Sequence, residues 1–271
     1  MKNNQGSMNM DESYSLSQKM WAEGIGTFFL VFVGAGTAAM TLVLNHGAPR
    51  YTKSDIGIGA LGGSADWLTI GLAFAFAIMT MIYVFGHVSG AHINPAVTLS
   101  LLIQRLISPI EAVGYWFAQF AGATVGAFAV ALVYGRQAWL IGGLGAPGPF
   151  PGVPLWQAGA AEVLGTFGLV MGVLGLAVNK HAPSQWAGLI IGLNIAGLIV
   201  LLGNVSGAAI NPARTIGPIF ADWILGGPNL WHIVVVYILA QVLGASMAAW
   251  VYPLIAQSRK VKADKSQVVK M

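Results

Sequence analysis

The sequence predicts an all-α membrane protein with six transmembrane helices and two half-membrane re-entrant helices, arranged as an inverted repeat of two three-helix halves. Three observations predict it. Of 271 residues, 56% are hydrophobic and only 8% charged, a composition that leaves too little polar surface for a solvated exterior. Six apolar stretches reach the roughly 20 residues of helix that cross about 30 Å of hydrocarbon. Finally, Ser89-Gly-Ala-His-Ile-Asn-Pro-Ala-Val-Thr98 recurs as Ser206-Gly-Ala-Ala-Ile-Asn-Pro-Ala-Arg-Thr215, with eight of ten positions identical.

In chain order the long stretches run over 20–44, 67–86, 110–134, 157–179, 186–203 and 230–254. Two shorter apolar pieces, 95–104 and 212–221, follow the second and fifth. At about 1.5 Å per residue each reaches only some 15 Å, half the membrane. The repeat extends past the decapeptide: Ala22-Glu-Gly-Ile-Gly-Thr-Phe28 matches Ala161-Glu-Val-Leu-Gly-Thr-Phe167, and Gly86-His-Val-Ser89 matches Gly203-Asn-Val-Ser206. Each half therefore has two spans, a half-span and a third span. Because three crossings is an odd number, the second half lies upside down relative to the first.

Basic residues orient the chain. Lys2, Lys19, Arg105, Lys180, Arg259, Lys260, Lys262, Lys265 and Lys270 fall on one side, and Arg50, Lys53, Arg136 and Arg214 on the other, so both termini are expected in the cytoplasm. The expected organisation is a cytoplasmic N-terminal segment 1–18, one channel domain 19–256 (first repeat about 19–135, second about 157–256) and a basic cytoplasmic tail 257–271. The connections 45–66 and 135–156 then face outward, as packed surface loops or as walls of an entrance. The polar first 20 residues do not read as a removable signal peptide. Gly122/Gly126, Gly168/Gly172 and Gly188/Gly192, four residues apart, suit close helix packing in lipid.

Much chemistry is excluded. Without cysteine there is no disulfide, thiolate ligand or thiol nucleophile. His87 and His92 flank the first motif, but no carboxylate or second histidine recurs at ligand spacing, and no Ser/His/Asp set suggests hydrolysis. No metal, cofactor, enzymatic activity or nucleic-acid partner is implied; the basic excess is explained by topology.

The half-spans carry the function. Non-helical backbone at membrane depth must be buried or line a watery cavity, since an unpaired N–H or C=O in lipid costs several kcal/mol. In Asn94-Pro95-Ala96 and Asn211-Pro212-Ala213, asparagine suits the N-cap and proline the first helical position. Inversion brings both caps to mid-membrane with both positive helix ends at one spot. If each side-chain oxygen caps its own helix, each amide NH2 is left to donate into the space between. Neutral hydroxylated solutes accept such bonds, whereas protons and cations meet a barrier. Arg214 falls in the first turn of its half-helix, where a cation opposes the dipole; it is expected either to filter solutes with its always-charged donors or to sit in a structural ion pair. Glu23 and Glu162 hold equivalent places in the two halves, as a proton relay or as acceptors for the irregular backbone near Asn94 and Asn211.

Paired Asn-Pro-Ala motifs, the second continuing to Arg214 and Gly217-Pro218, together with the two Ala-Glu-x-x-Gly-Thr-Phe segments, resemble the aquaporin and glycerol-facilitator (major intrinsic protein) family over about residues 19–256. Ile56-Gly-Ile-Gly59, Gly62-Gly63 and Pro149-Phe-Pro-Gly152 are most similar to the archaeal-type members. The resemblance implies the aquaporin fold, a multi-pass plasma-membrane location and a homotetramer in which every subunit has its own pore. It also implies an aromatic/arginine filter, carried over by spacing onto Phe74, Ile199, Ala208 and Arg214. Water-only members usually carry His where Ile199 stands, and glycerol facilitators have Trp, Phe, Gly and an Asp after the Arg, where this chain has Thr215. The expected function is a passive channel for water that also conducts small uncharged solutes and excludes protons and ions; the alternatives are a glycerol or small neutral solute facilitator and, further off, a secondary transporter. With Ala208 where many members have a mercury-reactive cysteine, mercurials are expected not to block.

Overall fold

The computed structural model describes residues 14–45 and 63–256. The basic tail 257–271, residues 1–13 and most of the 45–66 connection, with Ile56-Gly-Ile-Gly59 and Gly62, lie outside them. Six membrane-length helices are present among the described residues: Leu16–Leu44, Ser64–Ser89, Pro109–Tyr134, Leu155–Val178, Ser184–Ser206 and Trp231–Ala256. Two half-helices, Pro95–Ile103 and Pro212–Ile224, sit between the second and third and between the fifth and sixth spans.

Polar caps set helix ends that hydropathy alone misplaces. The first span begins at Leu16, inside the segment 1–18 assigned to the N-terminus, because Ser15 and Gln18 form a reciprocal capping box that satisfies two orphan groups before the apolar run starts. Ser108 and Glu111 do the same for the third span, and Lys19 ties the two starts together through a 2.7 Å ion pair with Glu111. The second and fifth spans stop at Gly90 and Gly207, whose φ values of +88° and +76° only glycine adopts freely. The second half-helix continues to Ile224, three residues beyond its apolar stretch 212–221, with Asp222 and Trp223 in its last turn.

Lipid offers no hydrophobic drive to helix association, so close backbone approach does the work. The first span packs on the third and the fourth on the sixth. A Cβ on Gly122 would overlap the Gly24 carbonyl, and one on Gly244 would overlap that of Val163, so both halves close in the same way. Gly188 and Gly192 face Tyr83 and Met79 and let the fifth span approach the second, joining the halves. The half-helices complete the exchange: the first packs on the sixth span, where Gln104 Nε2 donates to the Ala249 carbonyl at 3.1 Å. The second packs on the third span, with Gly217 against the Ala123 backbone.

Candidate functional site

Both helix starts at the centre are built alike. Asn94 Oδ1 accepts the Ala96 N–H at 2.9 Å, and Asn211 Oδ1 accepts those of Ala213 and Arg214 at 3.0 and 3.2 Å. Their amide groups cross between the halves: Asn94 Nδ2 donates to the Ile210 carbonyl and Asn211 Nδ2 to the Ile93 carbonyl, each at 2.9 Å. The expectation that each NH2 stays wholly free is corrected here. One N–H of each locks the two re-entrant loops together, and the other is left to donate.

The loops before the caps are strained. Ala91, Ile93, Ala208 and Ile210 have φ of +48°, +55°, +44° and +43°, and left-handed non-glycine residues cost on the order of 1–3 kcal/mol each. Two buried carboxylates hold them. Glu23 accepts from Ser89 Oγ (2.7 Å), the N–H groups of His92 (2.8 Å) and Ile93 (2.6 Å), and Gln119 Nε2 (2.8 Å). Glu162 accepts from Ser206 Oγ (2.7 Å), the N–H groups of Ala209 (2.8 Å) and Ile210 (2.7 Å), and Gln241 Nε2 (2.8 Å). Hydrogen bonds to a charged acceptor contribute roughly 1.5–3 kcal/mol each, enough to offset the strain. Thr98 and Thr215 receive a second bond from the same glutamines, and Tyr115 and Tyr237 donate to the Ser89 and Ser206 carbonyls at 2.8 Å. These partners escaped the sequence reading, although Tyr115-Trp-Phe-Ala-Gln119 against Tyr237-Ile-Leu-Ala-Gln241 is a further repeat that signals them.

With its N–H groups turned onto the carboxylates, each loop leaves carbonyls on the opposite side. Those of Gly90, Ala91 and His92, and of Gly207, Ala208 and Ala209, accept no hydrogen bond among the described residues. Gly90, Ala91, His92, Ala208 and Ala209 border a cavity of about 310 Å³ that is also lined by both motif asparagines and by Phe74, Ile199 and Arg214. The structure thus brings all four residues carried over as a filter to one cavity. Its other wall is aliphatic, with Ile78, Ile191 and Ile195.

Arg214 is buried, with its guanidinium 5.2 Å from the Phe74 ring centroid. Nη1 donates to the Gly145 carbonyl at 3.0 Å, while Nε and Nη2 have no partner among the described residues. No carboxylate pairs with it among the described residues. Gly145 belongs to the Gly/Pro-rich connection 135–156, which the sequence left open as a packed surface loop or an entrance wall; the contact of its carbonyl with Arg214 was not foreseen. His92 also lines the cavity, its Nδ1 lying 3.1 Å from Thr98 Oγ1; no cluster of metal-ligating side chains occurs among the described residues.

The family model for the major intrinsic proteins matches residues 10–252. The chain belongs to the major intrinsic protein family. Within that family it is 49% identical over 238 residues to aquaporin AqpM of Methanothermobacter marburgensis, covering 88% of this chain and 97% of the relative. It is 45% identical to a probable aquaporin AqpM of Archaeoglobus fulgidus, over 90% of this chain and 98% of that one. A glycerol uptake facilitator-like protein of Lactiplantibacillus plantarum is 40% identical, over 86% and 95% of the two chains. Among solved structures, the aquaglyceroporin of Plasmodium falciparum superposes with a TM-score of 0.72 at 25% identity, covering 89% of this chain and 97% of its own. Relatives named for water and for glycerol thus share this architecture.

Proposed function

We propose that the chain is a passive transmembrane water channel that also conducts small uncharged solutes and excludes protons and other ions. The observation that carries this reading is the single cavity in which unpartnered donors of Arg214, both helix-capping asparagines and the open loop carbonyls face one lumen. A water molecule there donates hydrogen bonds to carbonyls and accepts them from Arg214 Nε and Nη2, so each step replaces lost hydration. At the centre, the remaining N–H of Asn94 and of Asn211 donates to the water oxygen, and the two positive helix ends oppose a hydrated proton or cation. Glu23 and Glu162, with acceptor capacity committed to loop donors, act as struts and not as a relay. Phe74, Ile199, Ala208 and Arg214 act as the filter. No step forms a covalent bond or calls for a cofactor. Arg214 has no paired carboxylate among the described residues, so its charge opposes cations at the filter as well.

The facilitator reading also has an observation in its favour. Ile199, Ile191, Ile195 and Ile78 give the lumen an aliphatic wall facing the polar carbonyls, and a polyol has one apolar and one hydroxylated side to match. We therefore expect glycerol to pass, more slowly than water. Homotetrameric assembly in the plasma membrane, with both termini cytoplasmic, belongs to the same proposal.

Proteoliposomes in stopped flow test it. Water efflux under an impermeant osmolyte should exceed that of empty vesicles, followed by re-swelling in glycerol that a pH gradient leaves unchanged. Glycerol uptake driven by the pH gradient would indicate a transporter instead.

A further inference from the structure

We propose that Gly34, in a π-wound turn of the first span, is a positioning residue for the filter and controls which solutes pass. The inference rests on the channel reading above and deepens it. The span is α-helical from Leu16 to Phe29 and again from Gly36 to Leu44, but Leu30–Ala35 is wound as a π-helix. Such bulges accompany functional sites because the wider turn re-aims neighbouring residues. This one reaches the filter by two contacts.

The first is with Phe74. A Cβ on Gly34 would overlap the ring at Cγ, Cδ1 and Cε1, so the missing side chain is the seat of the aromatic wall. The second is with Arg214, through the outer connection. A Cβ on Gly145 would overlap the Ala35 carbonyl, which puts Gly145, φ +70°, directly against the bulge. Its carbonyl is the one protein acceptor of the Arg214 guanidinium among the described residues. Consecutive residues of the bulge, Gly34 and Ala35, thus back both sides of the constriction, the ring and the cation that lies over it. The repeat equivalent of Gly34, counted from the Ala-Glu-x-x-Gly-Thr-Phe segments, is Val173, and the π-wound turn of the fourth span lies later, at Leu174–Val178. The seat, like Arg214, occurs in one half only.

A methyl group at position 34 must displace the Phe74 ring, and the lumen is the open side of that ring. In Gly34→Ala proteoliposomes, glycerol permeability should fall about tenfold while water permeability falls less than about threefold. Phe74→Leu added to that variant should restore glycerol flux. Gly197→Ala, where an added Cβ meets nothing within 4 Å, should leave the ratio unchanged. A purely structural role for Gly34 would lower both fluxes together, so an unchanged ratio overturns the proposal. If Gly34→Ala alone does not assemble, the double variant must; failure of both overturns it too. Wild-type vesicles measured alongside test the channel reading separately.

Discussion

Arg214 sits in the first turn of a helix whose dipole opposes it, buried, with two of its nitrogens given to no protein atom among the described residues. In the proposed channel, the two nitrogens serve the solute that passes them. Arg214→Val should therefore keep water flux within a few-fold of wild type while proton leak and the passage of larger polyols rise; unchanged selectivity would count against the filter role. Ala208 offers a cleaner probe, because the chain has no cysteine. Mercurials should leave the wild type unaffected and block Ala208→Cys reversibly with reducing agent. A fully resistant variant would remove position 208 from the lumen, and block of the wild type would show that mercurials act at another group. That Phe74, Ile199, Ala208 and Arg214 share one cavity was legible because fixed spacings from Asn94 and Asn211 locate them. Gly145 was not, since its role is to offer a backbone carbonyl, which no side chain advertises.

Among elements, the re-entrant loops depend most on distant residues. Four left-handed non-glycine positions are held by carboxylates on the first and fourth spans, and each carboxylate oxygen accepts one loop N–H and one side-chain donor, so replacing one oxygen by a donor strands two hydrogen bonds at once. Glu23→Gln and Glu162→Gln should each lower stability by roughly 2–4 kcal/mol, seen as an earlier thermal unfolding midpoint in detergent, and by similar amounts because the two networks are alike. A normal midpoint with altered proton conduction would favour a relay instead. Element type and order were readable from hydropathy and from the two Asn-Pro starts. Ends were not, where Ser15 caps a helix ahead of its apolar run or Asp222 extends one with a polar residue. The π-wound turn could not be foreseen either: Leu30-Val-Phe-Val-Gly-Ala35 has the composition of any apolar span, and its winding answers to Phe74 and Gly145, which pack on it from elsewhere in the chain.

At the scale of the molecule, the halves are interlocked and not merely adjacent. Each half-helix packs on the last span of the other half, and each capping asparagine donates to the other half's loop, so neither half holds a complete lumen. The duplication and inversion were legible from eight matching positions and an odd number of crossings. The exchange of half-helices was not, because it depends on small-residue contacts such as Gly217 on Ala123 that periodicity does not distinguish from lipid-facing glycines. The central claim is that this lumen passes water and not charge. Stopped-flow shrinkage of proteoliposomes, with a pH-sensitive dye inside to follow protons, measures both. Water efflux should be at least about tenfold faster than from empty vesicles, with proton leak unchanged. Efflux no faster than that of empty vesicles, or proton leak rising in step with protein, would contradict it.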